Sequence, residues 1–173
     1  MTLNQIDSSH YNVFYQGYID LIPKDKSLTE LLEENRKELR ELFKKLSEDK
    51  LAFRYAPEKW SIAELLQHLI DVERIFQYRA LSIARKDKTS LPGFDHDAYV
   101  PASEAEHRSL KDLETEFLVV RESTILLFKS FSEEMLLRIG SMNAAPASPA
   151  AIGFIITGHT KHHLKILKER YLR

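Results

Sequence analysis

The sequence predicts an all-α fold, a four-helix bundle with a long crossover between its second and third helices. Four long stretches repeat apolar residues at helical spacing. No alternating strand pattern competes with them. Only 5 Gly and 6 Pro occur in 173 residues, so little interrupts a long helix. The length suits one domain with a full-sized core, taken as residues 1–173.

The first helix is expected over about residues 28–48. Leu28, Leu31, Leu32, Leu39, Leu42, Phe43 and Leu46 form its stripe, and Ser27 with Glu30 makes the S-x-x-E capping box of a helix start. The second spans about 61–85, SIAELLQHLIDVERIFQYRALSIAR, where Ser61 and Glu64 repeat the box. The third covers about 109–131, with Leu110, Leu113, Phe117, Val120, Thr124, Leu127 and Phe131 on one face. The fourth covers about 149–172, beginning near Ser148 with Pro149 suited to the first helical position.

The crossover, KDKTSLPGFDHDAYVPASEAEH, is long for antiparallel neighbours. It carries Phe94, Tyr99 and Val100, so it is expected to pack across the bundle rather than float. Residues 132–147 form a shorter linker with one helical turn at SEEML. The first 25 residues hold Tyr11, Phe14, Tyr15 and Tyr18, too aromatic for a disordered tail, and are expected to cover one end.

Composition narrows the function. Net charge is −1 with His neutral, which gives no bulk attraction to nucleic acid or an anionic membrane. No apolar run approaches transmembrane length and no signal peptide is evident, so a cytoplasmic setting is the default expectation. There is no cysteine, so thiolate nucleophiles, thiolate metal sites and disulfides are excluded.

The stretch GHTKHHLKIL holds three histidines within five positions. On a helical wheel, His159 and His163 share a stripe with Ile152, Ile156, Ile166 and Leu167, roughly 40° apart. Lys161, Lys165 and Lys168 mark the opposite, wet face, and His162 lies at the edge of the apolar stripe. Two inward imidazoles at i and i+4 can reach one cation. They can equally be core histidines bonded to backbone or hydroxyls, and the spacing leaves both open. His68 borders the inner face of the second helix, beside Leu65, Leu69, Val72 and Phe76. It offers a third nitrogen from a facing helix. His10, His96 and His107 suit a site less well, lying near the terminus, in the loop, and between acidic residues.

These segments carry a resemblance. PEKWSIAELLQHLIDVERIFQYR, PGFDHDAYVP and GFIITGHTKHHLKILKERYL, in that order and over nearly the whole chain, make the sequence similar to the DinB-like superfamily, in its YfiT-like branch of metal-dependent enzymes. The resemblance implies a four-helix bundle whose metal is bound by His68, His159 and His163. It also implies a homodimer, a cytoplasmic bacterial setting and a small-molecule substrate. The reaction implied is hydrolysis, or transfer or isomerisation with a low-molecular-weight thiol as cosubstrate.

Three neutral imidazoles leave a divalent ion its double charge and at least one open position, the layout of a catalytic site. Zinc or nickel suits such ligands. Thr160 follows His159, so the H-E-x-x-H pattern of a zincin is absent. Glu64 and Asp71 are the weak candidates for a base or an imidazole-orienting carboxylate, against commoner roles as a helix cap and an edge charge. Asp95 and Asp97 are read as turn formers. Arg74 and Arg79 could receive an anion, but helix-surface ion pairing is the favoured reading. The alternative function is a non-catalytic helical domain for dimerisation or small-molecule binding.

Overall fold

Each of the four long helices begins on a serine whose hydroxyl accepts the N–H of the third residue inside. Ser27 serves α2 (Leu28–Phe43), Ser61 serves α3 (Ile62–Ala84), Ser109 serves α5 (Leu110–Lys129) and Ser148 serves α7 (Pro149–Ile166). The computed structural model describes residues 1–172; Arg173, the last residue of the expected domain, lies outside them. Short helices α1 (Gln16–Ile19), α4 (His96–Ala102) and α6 (Glu133–Leu136) join the long ones, and α7 runs on as a π-helical turn over Leu167–Tyr171. Among the described residues no helix is long and apolar enough to cross a membrane.

The first helix stops earlier than its periodicity suggested. After Phe43 the chain tightens into i→i+3 bonds, Lys45 N–H to Leu42 and Leu46 N–H to Phe43, while Leu46 stays buried. Glu48 has left the helix, and its carboxylate accepts the Leu110 N–H at 2.9 Å, satisfying a free donor at the start of α5.

The crossover packs on the bundle through Phe94 and Val100, while Tyr99 stays exposed. Leu91 and Val100 are buried in it, and Asp95 caps α4 by accepting the Asp97 and Ala98 N–H groups. The linker also holds a strand pair that its apolar pattern did not predict. β1 (Gly140–Met142) and β2 (Ala145–Ala147) form an antiparallel hairpin within the expected linker. Asn143 and Ala144 both take positive φ there, as a two-residue hairpin turn requires.

Apolar packing divides into two clusters. One joins the N-terminal segment to the first turns of α2, the later half of α3 and the first half of α7. The other joins the later half of α2 to the first halves of α3 and α5 and the end of α7. Between them, every long helix turns a buried polar residue inward: Asn35, Glu73, Arg121 with Thr124, and on α7 Thr157, His159, Thr160 and His163. The histidines therefore sit at mid-height, where the two apolar clusters meet.

The N-terminal segment buries Tyr11, Tyr15, Ile19 and Ile22 against the first cluster. It approaches α7 so closely that a Cβ at Gly158 would lie 2.2 Å from the Tyr18 carbonyl oxygen. Gly158→Ala is therefore expected to lift α1 away. The clash with backbone should outweigh the gain of about 1 kcal/mol in helix propensity. Hydrogen exchange is the check: the Leu21 and Ile22 amides, bonded to the Tyr18 and Ile19 carbonyls, should lose protection at least several-fold. Unchanged protection would contradict the close approach.

Candidate metal centre

Helices α3 and α7 face each other, and their three histidines converge. The Nε2 atoms of His68 and His159 lie 3.1 Å apart, and those of His163 and His159 also 3.1 Å. One ring nitrogen from each lies within 4.8 Å of the others, and all three side chains are buried. Burial depresses their basicity. It holds His68 down to about 4 and His163 to about 3, and it keeps His159 well below the usual imidazole value, with the neighbouring imidazoles adding to the effect. The trio is therefore neutral at physiological pH.

Hydrogen bonding among themselves cannot satisfy this arrangement. A neutral imidazole nitrogen carries either one N–H or one lone pair. With two Nε2 atoms both 3.1 Å from the third, only one good bond can form. One cation can accept all three lone pairs. Two nitrogens bound at about 2.0–2.1 Å, at angles near 90–109°, stand about 2.9–3.4 Å apart, and the observed separations fall inside that span. The donor set and its spacing therefore fit a divalent ion. Nδ1 of His163 is buried with no hydrogen-bond partner among the described residues.

Neighbours fix the ring orientations. Trp60 lies on His68 with centroids 4.7 Å apart, and Tyr18 sets its edge on His159 at 5.3 Å. Tyr18 also touches His162 at 5.5 Å. His162 is less buried and stands outside the converging trio, in keeping with its place at the stripe edge.

The histidines form one wall of a cavity of about 370 Å³. Its other walls are aromatic: Tyr15, Tyr18, Trp60, Phe76 and Phe94. Glu64 and Asp71 do not line it. Glu64 accepts two hydrogen bonds from Arg54, at 2.5 and 2.9 Å, and one from the Ser61 N–H. Burial alone would raise its pKa, but these donors outweigh burial and lower it. Asp71 accepts from Gln67 at 2.9 Å, and burial raises its pKa. Arg74 pairs with Glu116, as a helix-surface residue was expected to. Asp95 is the α4 cap, and Asp97 is exposed.

Two residues set aside on sequence grounds stand at the cavity. His96, at the start of α4, is half-exposed, with its ring 5.8 Å from that of His68. Arg79 is buried rather than on the helix surface, and it lines the cavity. The aromatics in the crossover were the signal that this loop closes over something. A helical wheel carries no information on where a loop places one side chain.

Comparison with known proteins agrees with the architecture. Among solved structures, the chain is similar to YfiT from Bacillus subtilis, described as a probable metal-dependent hydrolase with an unusual four-helix bundle topology. The match has a TM-score of 0.74 at 13% identity and covers 86% of this chain and 90% of that one. No curated protein matches it. The sequence model of the DinB superfamily matches residues 31–167, most of the length. The chain belongs to the DinB superfamily.

Proposed function

We propose that the protein is a divalent-metal-dependent hydrolase acting on a small molecule, with the ion held by His68, His159 and His163. The convergence of three neutral imidazoles, with the Nε2 atoms of His68 and His163 each 3.1 Å from that of His159, carries this reading. The fold shared with YfiT, itself described as a probable metal-dependent hydrolase, supports it. Zinc or nickel suits an all-imidazole set. When bound, such an ion acts as a Lewis acid that lowers the pKa of a water or thiol at its free position.

The chain's own residues supply the rest. The aromatic walls exclude bulk water and hold an apolar substrate body. Trp60 and Tyr18 keep the His68 and His159 rings in place. His96 is positioned at the mouth to move a proton to or from the reacting group, a role that Glu64 and Asp71, engaged elsewhere, do not reach. Hydrolysis and thiol-dependent S-transfer would use the same three ligands, so turnover decides between them. Protein stripped with chelator and reloaded with zinc or nickel is assayed on ester, amide and thioether panels, with and without a low-molecular-weight thiol. Metal-dependent hydrolysis without thiol is expected. Turnover only with thiol would assign S-transfer. Full metal content with no turnover would favour a non-catalytic binding bundle, and turnover indifferent to metal would sink the reading.

A further inference from the structure

Arg79 is a buried cation in need of an explanation. It is 3% exposed, and no carboxylate of the described residues lies within 4.0 Å of it. The other deeply buried arginine, Arg121, faces Glu73 through two hydrogen bonds of 2.7 and 2.8 Å. Arg79 has the Pro92 carbonyl at 2.7 Å and the faces of Phe76 and Phe94, with its guanidinium 5.6 and 5.5 Å from the ring centres. These contacts hold the group in place without neutralising it, and an unpaired buried charge is expensive. It lines the cavity, and no Asp, Glu or Lys does. Arg79 is thus the one permanently charged side chain among the described lining residues.

Its position relates it to the histidines. Eleven residues after His68, it stands about 16 Å further along α3 on nearly the same face. Val72 and Phe76 lie between them on that wall. The Arg79 guanidinium reaches back about one turn, over the ring of Phe76. Arg79 and the three histidines thus line one cavity at positions well separated along α3. Asn143 lies at the same lip: its amide oxygen would sit 2.6 Å from a Cβ at Gly93, next to Pro92.

We infer that the cavity selects substrates carrying a carboxylate, which Arg79 holds at the end opposite the three histidines. The apolar body of the substrate lies along Val72 and the aromatic wall of Tyr18 and Trp60, and the reacting group reaches the histidine end. This rests on the cavity being the active site, as proposed above. A carboxylate matches the single charge, and a guanidinium offers it a two-pronged set of donors.

Calorimetric titration of the full chain with 3-phenylpropionate and with its neutral amide tests the inference. The carboxylate is expected to bind at least tenfold more tightly. Arg79→Gln should erase that preference while leaving metal content unchanged. In His163→Ala the preference should persist, so a missing ion and a missing anion site give different results. Benzyl phosphate, a dianion, should bind more weakly than the carboxylate. The inference is overturned by equal affinity for acid and amide, by no binding of either, by a preference that survives Arg79→Gln, or by tighter binding of the phosphate. If Arg79→Gln does not fold, Arg79→Lys decides. A preference reduced several-fold supports the assignment, and an unchanged one removes it.

Discussion

His163→Ala is expected to leave the protein folded but with less than about a tenth of an equivalent of bound metal after growth with zinc and nickel, where the parent chain fills its site. His68→Ala and His159→Ala should do the same, because two neutral imidazoles on a rigid pair of helices cannot replace three. His162→Ala is the control that makes the result specific. It is next in sequence to His163 but lies outside the converging nitrogens, so its metal content should stay near that of the parent. His96→Ala should likewise retain metal, since only its ring approaches His68, at 5.8 Å, and it is absent from the converging set. Elemental analysis on untagged protein reads all five variants. Equal losses in His162→Ala and His163→Ala would show that the inward face of α7 has been misassigned. Far-ultraviolet circular dichroism guards against the trivial case, in which a variant loses metal because α7 no longer forms.

The fold was legible because its determinants are local. The serine caps and apolar stripes of α2, α3, α5 and α7 can be read from neighbouring residues, and the helices start where Ser27, Ser61, Ser109 and Ser148 place them. Helix ends were less legible. Leu46 keeps the helical period yet lies beyond α2, because the next element, not the pattern, decides where Glu48 is needed. The inward direction of the histidine pair on α7 and the place of His68 beside the inner face of α3 could be read from helical spacing, whereas their reading as one ligand set came from the family resemblance. Arg79 did not follow, because burial of a wheel-edge residue depends on the crossover that covers it. The hairpin at Asn143 escaped for a related reason. Strands of three residues have too few positions to show alternation, and the turn residues Asn143–Ala144 lack the glycine that usually marks positive φ.

The polar layer beneath the histidines was also invisible, and it yields the second large effect. Glu73 on α3 and Arg121 on α5 are buried and paired through two hydrogen bonds. Thr124 donates to the same carboxylate at 2.6 Å, and Arg121 donates to the Thr160 hydroxyl on α7 at 2.9 Å. Breaking one side leaves an uncompensated charge in the bundle centre. Glu73→Gln and Glu73→Ala are each expected to destabilise the protein by about 3–5 kcal/mol, a fall in Tm of roughly 6–20 °C for a chain of this size. Replacing both partners with apolar residues, Glu73→Leu with Arg121→Met, removes the charge as well as the pair, so most of that stability should return. Metal affinity is expected to behave differently. Thr160 follows His159 directly, and its bond to Arg121 helps fix the rotation of α7 that aims His159 and His163 at His68. In the stable double variant this constraint is gone, and affinity for zinc should fall by about 10- to 100-fold, as when an outer support of a metal ligand is lost. Thermal melts and competition with a chromophoric chelator on the same three proteins separate the outcomes. Stability restored with affinity lost would assign the ion pair to orientation of the site. Stability and affinity restored together would mean that apolar packing alone sets the helix rotation, and that the charges act only when one is left without the other.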